Sequence, residues 1–472
     1  MRSPFWKTYV ALAVCAGLLY VYYRQAQSAG SGDAREKVLT FDRSLAREIL
    51  LEPADGPAVR LVKQADVWRL SQPDVPAGAS EVDNLLSSFE NLQVDEVVSE
   101  TAPSSLAPYG LDPPRTRLSV WLEGSEHPLR VHLGDKTPDG SALYAQRAGQ
   151  PQLLLVPGHQ EGSFDKRPFD LRDRDLLHVK RDAVQNVAIE TPGASYTLVR
   201  GEKNTWSFAQ PLKTRAGRWA VDSLLGTLEN LRMERVAVED AEDLAPFGLQ
   251  QPAYSVVLEL SDGSRRRLEI GNSPEDARYH AREASSDLVA VIAGTVVSDL
   301  DKGMGNLRAR RLVDASTFDV IAFETEYGGA RYVYESTTTK ADDGFEVDTW
   351  KRTVPDEQER ETSKIEDALF KLGGLEVLEF IDAPGDATAY GFDPPALALT
   401  LRLKDDKPPI SVTVGRRNAQ AYARRDGDDA VLRLDGPKVS EALASVRALS
   451  AVAAADDDAP AQETDKPAQP QG

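Results

Sequence analysis

The sequence predicts an α+β chain: an N-terminal transmembrane helix followed by three repeated units, each an antiparallel sheet with a packed helix. Three observations predict it. An uncharged apolar run, Thr8 to Tyr23, opens the chain. A short glycine-proline block returns at three places. Ahead of each block, apolar residues recur with the spacing of one helix face.

The opening run of 16 residues is about 24 Å long as a helix. Phe5, Trp6 and a snorkelling Lys7 extend it to roughly 28 Å, near the thickness of the hydrocarbon layer. Trp6 and Tyr9 at one end, and Tyr20, Tyr22 and Tyr23 at the other, suit the two interfaces. Arg2 and Lys7 flank the amino side, so that end is expected in the cytoplasm. The expectation is a single-pass protein of the cytoplasmic (inner) membrane, touching lipid through this helix and holding its repeats outside the cytoplasm. Ala26-Gln27-Ser28 also suits a cleavage site, so a cleaved signal peptide is the alternative.

The block reads Tyr109-Gly110-Leu111-Asp112-Pro113-Pro114, then Phe247-Gly248-Leu249-Gln250-Gln251-Pro252, then Tyr390-Gly391-Phe392-Asp393-Pro394-Pro395. Its neighbours keep their distances. Trp68, Trp206 and Trp350 precede the three glycines by 42, 42 and 41 residues. Gly134, Gly271 and Gly415 follow them by 24, 23 and 24. A Tyr-x-x-Arg pattern comes next, at Tyr144 and Arg147, Tyr279 and Arg282, Tyr422 and Arg425. Leu-Arg-x-Arg-x-Leu closes two copies, at Leu171–Leu176 and Leu307–Leu312, and the third keeps only Val446-Arg447. Fixed offsets of this kind mark a triplicated unit. The expected segments are 1–24 (cytoplasmic end and anchor), 25–44 (linker), 45–180, 181–314 and 315–451 (the repeats), and 452–472 (a disordered acidic Ala/Pro tail).

Within each unit the elements follow from periodicity. Val82, Leu85, Leu86, Phe89 and Leu92 form a helical stripe, repeated as Val221, Leu224, Leu225, Leu228 and Leu231, and as Ile365, Ala368, Leu369, Leu372 and Leu375. Ser80 with Asp83, and Ser363 with Glu366, read as N-terminal capping pairs. After each block, alternation such as Leu118, Val120 and Leu122 predicts a half-buried antiparallel strand. Gly110, Gly248 and Gly391 are read as turn residues at positive φ, with Pro114, Pro252 and Pro395 stiffening the step into that strand. Recurrence at three sites favours a structural role for the block.

Chemistry is hard to find. Hydrophobic residues make up 41% and charged residues 28%, the balance of a soluble globular bulk. A net charge of −20 argues against nucleic acid as a partner. The single cysteine, Cys15, excludes a disulfide framework. No His-Glu-x-x-His, P-loop or Gly-x-Ser-x-Gly occurs, so no catalytic residue, cofactor or metal is expected. Asp342-Asp343-Gly344 and Asp426-Gly427-Asp428-Asp429 miss the calcium-loop pattern and are read as solvated turns. Arg147, Arg282 and Arg425, at matching places in the pattern, are the candidate interaction residues for carboxylates or anionic glycans.

The block at Tyr109–Pro114, the strand pair ending at Gly134, the Tyr144-Ala145-Gln146-Arg147 strand and the N-terminal anchor together resemble a bacterial family, domain of unknown function 4340. The resemblance covers nearly all of 45–449. It implies a membrane-tethered bacterial protein encoded beside components of gliding-motility-like ABC transporters, and it implies no activity, cofactor or catalytic residue. The expected function is a non-enzymatic accessory subunit of such a transporter or envelope complex, with transporter subunits as partners. The alternative is a cell-wall or polysaccharide-binding module displayed on the membrane.

Overall fold

The computed structural model describes residues 36–340, 346–405 and 407–450. The expected membrane anchor and the tail from 452 onward lie outside the described residues. Among those described, no helix is long and apolar enough to cross a membrane.

The first repeat shows the plan. Strands β1 (Ala46–Pro53), β2 (Val59–Gln64), β3 (Val67–Ser71) and β4 (Asp74–Pro76) form a meander. Helix α1 (Ala79–Glu90) follows, then β5 (Glu96–Ser99), β6 (Thr116–Leu122), β7 (Leu129–Lys136), β8 (Ala142–Arg147) and β9 (Leu153–Pro157). All nine strands join one antiparallel sheet in the order β4-β3-β2-β1-β6-β7-β8-β9-β5. Repeats 2 and 3 build nine-stranded sheets of the same order. Sequence periodicity predicts the hairpin and the later meander. The β1–β6 pairing that fuses them, and the return of β5 to the far edge, come from tertiary structure alone.

The helical stripes do as their spacing predicts. Val82, Leu85, Leu86 and Phe89 of α1 are buried against the sheet, as are Val221, Leu224, Leu225 and Leu228 of α2 (Arg218–Glu229). Ile365, Ala368, Leu369 and Leu372 of α3 (Thr362–Gly373) do the same in repeat 3. The expected capping pairs do not form. The caps are Gly78, Gly217 and Glu361, two positions too early for Ser80 or Ser363 to serve. Backbone partners take over: Gly78 N–H donates to the Leu171 carbonyl at 3.0 Å and Gly217 N–H to that of Leu307 at 2.7 Å.

Those two leucines open the Leu-Arg-x-Arg-x-Leu segments, whose purpose is now plain. Leu171 and Leu307 complete one core, while Leu176 and Leu312 begin the next. Val38, Leu176 and Leu312 each donate a backbone hydrogen bond to the second residue after the helix, Leu92, Leu231 and Leu375, at 2.7, 3.1 and 2.9 Å. The repeats therefore start near 36, 175 and 311, earlier than the expected 45, 181 and 315. Residues 36–44 belong to the first repeat, not to a linker, because Val38 and Leu39 fill its core. Repeat 3 ends, among the described residues, in a long helix, α4 (Gly436–Ser450), which buries Val439, Ala442, Leu443, Val446 and Leu449. The described chain divides into two compact units, one ending at Arg174 with repeat 1 and one from Asp175 with repeats 2 and 3.

Candidate functional site

The glycine-proline block forms a lock between a turn and a strand. Ala107–Tyr109 make a 3₁₀ turn that ends at Gly110 with φ 64°. Gly248 and Gly391 close the matching turns at 69° and 72°. The positive φ expected of all three is present, and it explains why glycine stands there. A Cβ on these glycines would also meet the backbone of Asp135, Asn272 or Arg416, and the second glycine of each repeat answers this demand of close approach alone. A Cβ on Gly134, Gly271 or Gly415 would strike the backbone carbonyl oxygen of Tyr109, Phe247 or Tyr390. A third glycine, which the sequence reading passed over, starts the segment after the ninth strand. Cβ atoms on Gly158, Gly294 and Gly436 would meet the carbonyls of Gly140, Ala277 and Ala419.

The aromatic residue of the block packs edge-on against one residue of the eighth strand. The pairs are Tyr109 with Tyr144, Phe247 with His280, and Tyr390 with Tyr422, at 4.9, 5.1 and 5.0 Å. His280, not Tyr279, is thus the counterpart of Tyr144. Strand register agrees: Val131 pairs with Arg147 and Val412 with Arg425, but Leu268 pairs with Glu283. Arg282 faces Glu269 instead, one position off and on the opposite face of the sheet. The expected equivalence of the three arginines fails in repeat 2, where the Tyr-x-x-Arg match is a one-residue coincidence. The fully buried alanines Ala145, Ala281 and Ala423 carry the true alignment.

Each arginine is engaged within the chain. Arg147 donates to the carbonyls of Val38 at 2.7 Å and Lys37 at 3.1 Å, and to the Glu36 carboxylate at 2.6 Å. Arg425 donates to the Arg311 carbonyl at 2.6 Å, and its Nε and Nη2 reach Asp428 at 2.9 and 2.6 Å. Both therefore clasp the segment that enters their own repeat. Arg282 donates to Glu269 at 2.8 Å.

Asp428 overturns the reading of 426–429 as a solvated turn. Its side chain is 0% exposed and faces Arg425, itself 1% exposed. Asp428 also accepts from the Arg215 N–H at 2.6 Å, while Asp429 and Lys213 exchange two hydrogen bonds at 2.9 and 2.8 Å. This hairpin of repeat 3 thus docks on repeat 2. A second tie runs the other way: Arg308 is buried, reaches Asp382 at 2.6 Å and lies 4.3 Å from the Phe380 ring centre. The other acidic cluster, at Asp342-Asp343, lies outside the described residues.

A family model described as Domain of unknown function (DUF4340) matches residues 68–216 and again 206–395. The chain belongs to this family. Each DUF4340 match begins at a repeat tryptophan, Trp68 or Trp206, so the family unit runs from the third strand of one sheet into the next repeat. No curated protein and no solved structure matches the chain.

Proposed function

We propose that this DUF4340 chain is a non-enzymatic accessory subunit, tethered to the cytoplasmic membrane by its N-terminal apolar segment, with its repeats outside the cytoplasm. Its partners are transporter-type membrane subunits of an envelope complex. The observation that supports a binding role is the exposure of Trp219, Phe318 and Phe370, at 82, 78 and 74%. Trp219 begins α2, Phe370 lies on α3, and Phe318 sits in the Thr317–Asp319 turn against which α3 packs. The fold does not need them, since repeat 1 places Ser80, Ser44 and Ser87 at the same positions. Large aromatic side chains left in water on a helix layer are typical anchors for a protein partner. With the three arginines engaged internally, the polysaccharide-binding reading carries less support.

The test is mild crosslinking in intact cells followed by purification from membranes. Wild-type chain should recover membrane transporter subunits, and the Trp219→Ala/Phe370→Ala variant should recover several-fold less. Recovery of the wild-type chain alone would sink the proposal.

A further inference from the structure

One corner of the sheet changes character in repeat 3. In repeat 1 the registers on β1, β2 and β3 and the residue two before α1 are filled by Leu51, Leu61, Leu70 and Ala77, all buried. Repeat 2 keeps them apolar, as Ile189, Leu198, Phe208 and Ala216. Repeat 3 has Thr325, Tyr334, Arg352 and Arg360 there. Thr325 and Tyr334 are fully buried and Arg352 is 3% exposed. All four carry a buried polar atom with no hydrogen-bond partner among the described residues: Thr325 Oγ1, Tyr334 OH, Arg352 Nε and Arg360 Nε.

The remaining guanidinium nitrogens are used. Arg352 donates to the Ser450 carbonyl at the end of α4 at 3.1 Å, and its Nη2 pairs with Asp356. Arg360 donates to Gln358 at 2.7 Å and to the Glu359 carbonyl at 3.4 Å. What is left is two Nε–H groups, which can only donate, and two hydroxyls, each with a proton to give. Four buried polar groups, two of them donors only, are left without a partner among the described residues. Repeat 2 also has partnerless groups, Tyr196 OH, Thr214 Oγ1, Trp206 Nε1, Arg200 Nε and Arg308 Nε, but no guanidinium replaces one of its core residues at this corner. Arg352 and Arg360 both act on Tyr334, Arg447 acts on the neighbouring Tyr327, and Asp356 offsets one of these charges. Arg360 and the stacked rings of Tyr327 and Tyr332 are each half-buried.

We propose that this corner of repeat 3 binds an oxyanion, a phosphate or carboxylate group, which supplies the missing acceptor between Arg352, Arg360, Tyr334 and Thr325. The site is independent of the accessory role proposed above. Replacing apolar core residues by two arginines in one repeat of three is otherwise a burden on its folding. An anion converts it into a satisfied network.

The experiment titrates inorganic phosphate, and acetate in parallel, into the full chain by calorimetry against chloride at equal ionic strength. Phosphate or acetate should bind at one site. Arg360→Leu should weaken binding roughly tenfold, the worth of one charge-assisted hydrogen bond. Tyr334→Phe keeps the ring stacked on Phe323 and should weaken binding several-fold. Thermal unfolding reports whether each variant is folded, and Tyr334→Phe keeps the test open if Arg360→Leu is not. A response to phosphate alone identifies a phosphate ligand, and a response to acetate alone a carboxylate. No response to either anion overturns the site, as does binding that neither variant changes.

Discussion

His280 is the residue where repeat 2 departs most from its sisters. It takes the place of Tyr144 and Tyr422 against the block aromatic, and its Nδ1 meets Asn272 Oδ1 at 2.6 Å. Burial first, and the positive Arg235 second, hold its pKa below the usual histidine value of 6.5. The unfolded chain therefore binds the proton more readily than the folded one. Stability should be fully present above the unfolded pKa and should fall as pH drops through 6.5 toward the folded value. Melting of the wild-type chain between pH 7 and 5 should show this loss in the unit of repeats 2 and 3. His280→Tyr, which restores the residue of the other repeats, should flatten the slope in that window; an equal slope in both proteins would rule the histidine out.

At the scale of elements, the turn and the strand interlock through two glycines that share the demand for close approach, and the first adds a positive φ. Gly248→Ala must hold a side chain at φ 69°, which costs roughly 1–2 kcal/mol, and its Cβ would also lie 2.7 Å from the Asn272 backbone nitrogen, which adds to that cost. Gly271→Ala places its Cβ against the Phe247 carbonyl, which is backbone and cannot swing aside. The turn itself would have to leave the strand, so about 3 kcal/mol or more is expected. Denaturant unfolding should show both variants destabilised by at least these amounts. The same logic accounts for Leu-Arg-x-Arg-x-Leu, which appears wherever one repeat hands the chain to the next. It is missing from the third because α4 covers that core instead.

For the molecule as a whole, Asp428 welds repeats 2 and 3 while repeat 1 forms a unit of its own. Asp428→Ala leaves Arg425 buried without its counter-charge, which costs roughly 3–5 kcal/mol. Repeats 2 and 3 share the ties at Arg215 and Asp382, so the loss should not stay in repeat 3. Limited proteolysis of this variant should release early fragments from both repeats. Fragments from repeat 3 alone would show two independent modules. Each repeat's own helix stripe and strand faces suggest from sequence a module that unfolds by itself. That reading misses the side chains that repeats 2 and 3 exchange.

Local pattern in the sequence determined the triplication, the helices, the alternating strands and the positive-φ glycines. These features depend on neighbours a few residues apart, and a 3.6- or 2-residue period records them directly. The block at 110, 248 and 391 was legible for the same reason. Contacts between distant segments were decided only by the tertiary structure. The β1–β6 pairing, the true starts near 36, 175 and 311, and the burial of Asp428 leave no periodic trace. The register of the eighth strand was misread because Tyr279 and Arg282 imitate the pattern one residue early, and one residue moves a side chain to the other face of a sheet. The polar corner of repeat 3 was hidden for a similar reason. Thr325, Tyr334, Arg352 and Arg360 are scattered over 36 residues of ordinary surface-type sequence, and only the pairing of four strands turns them inward together.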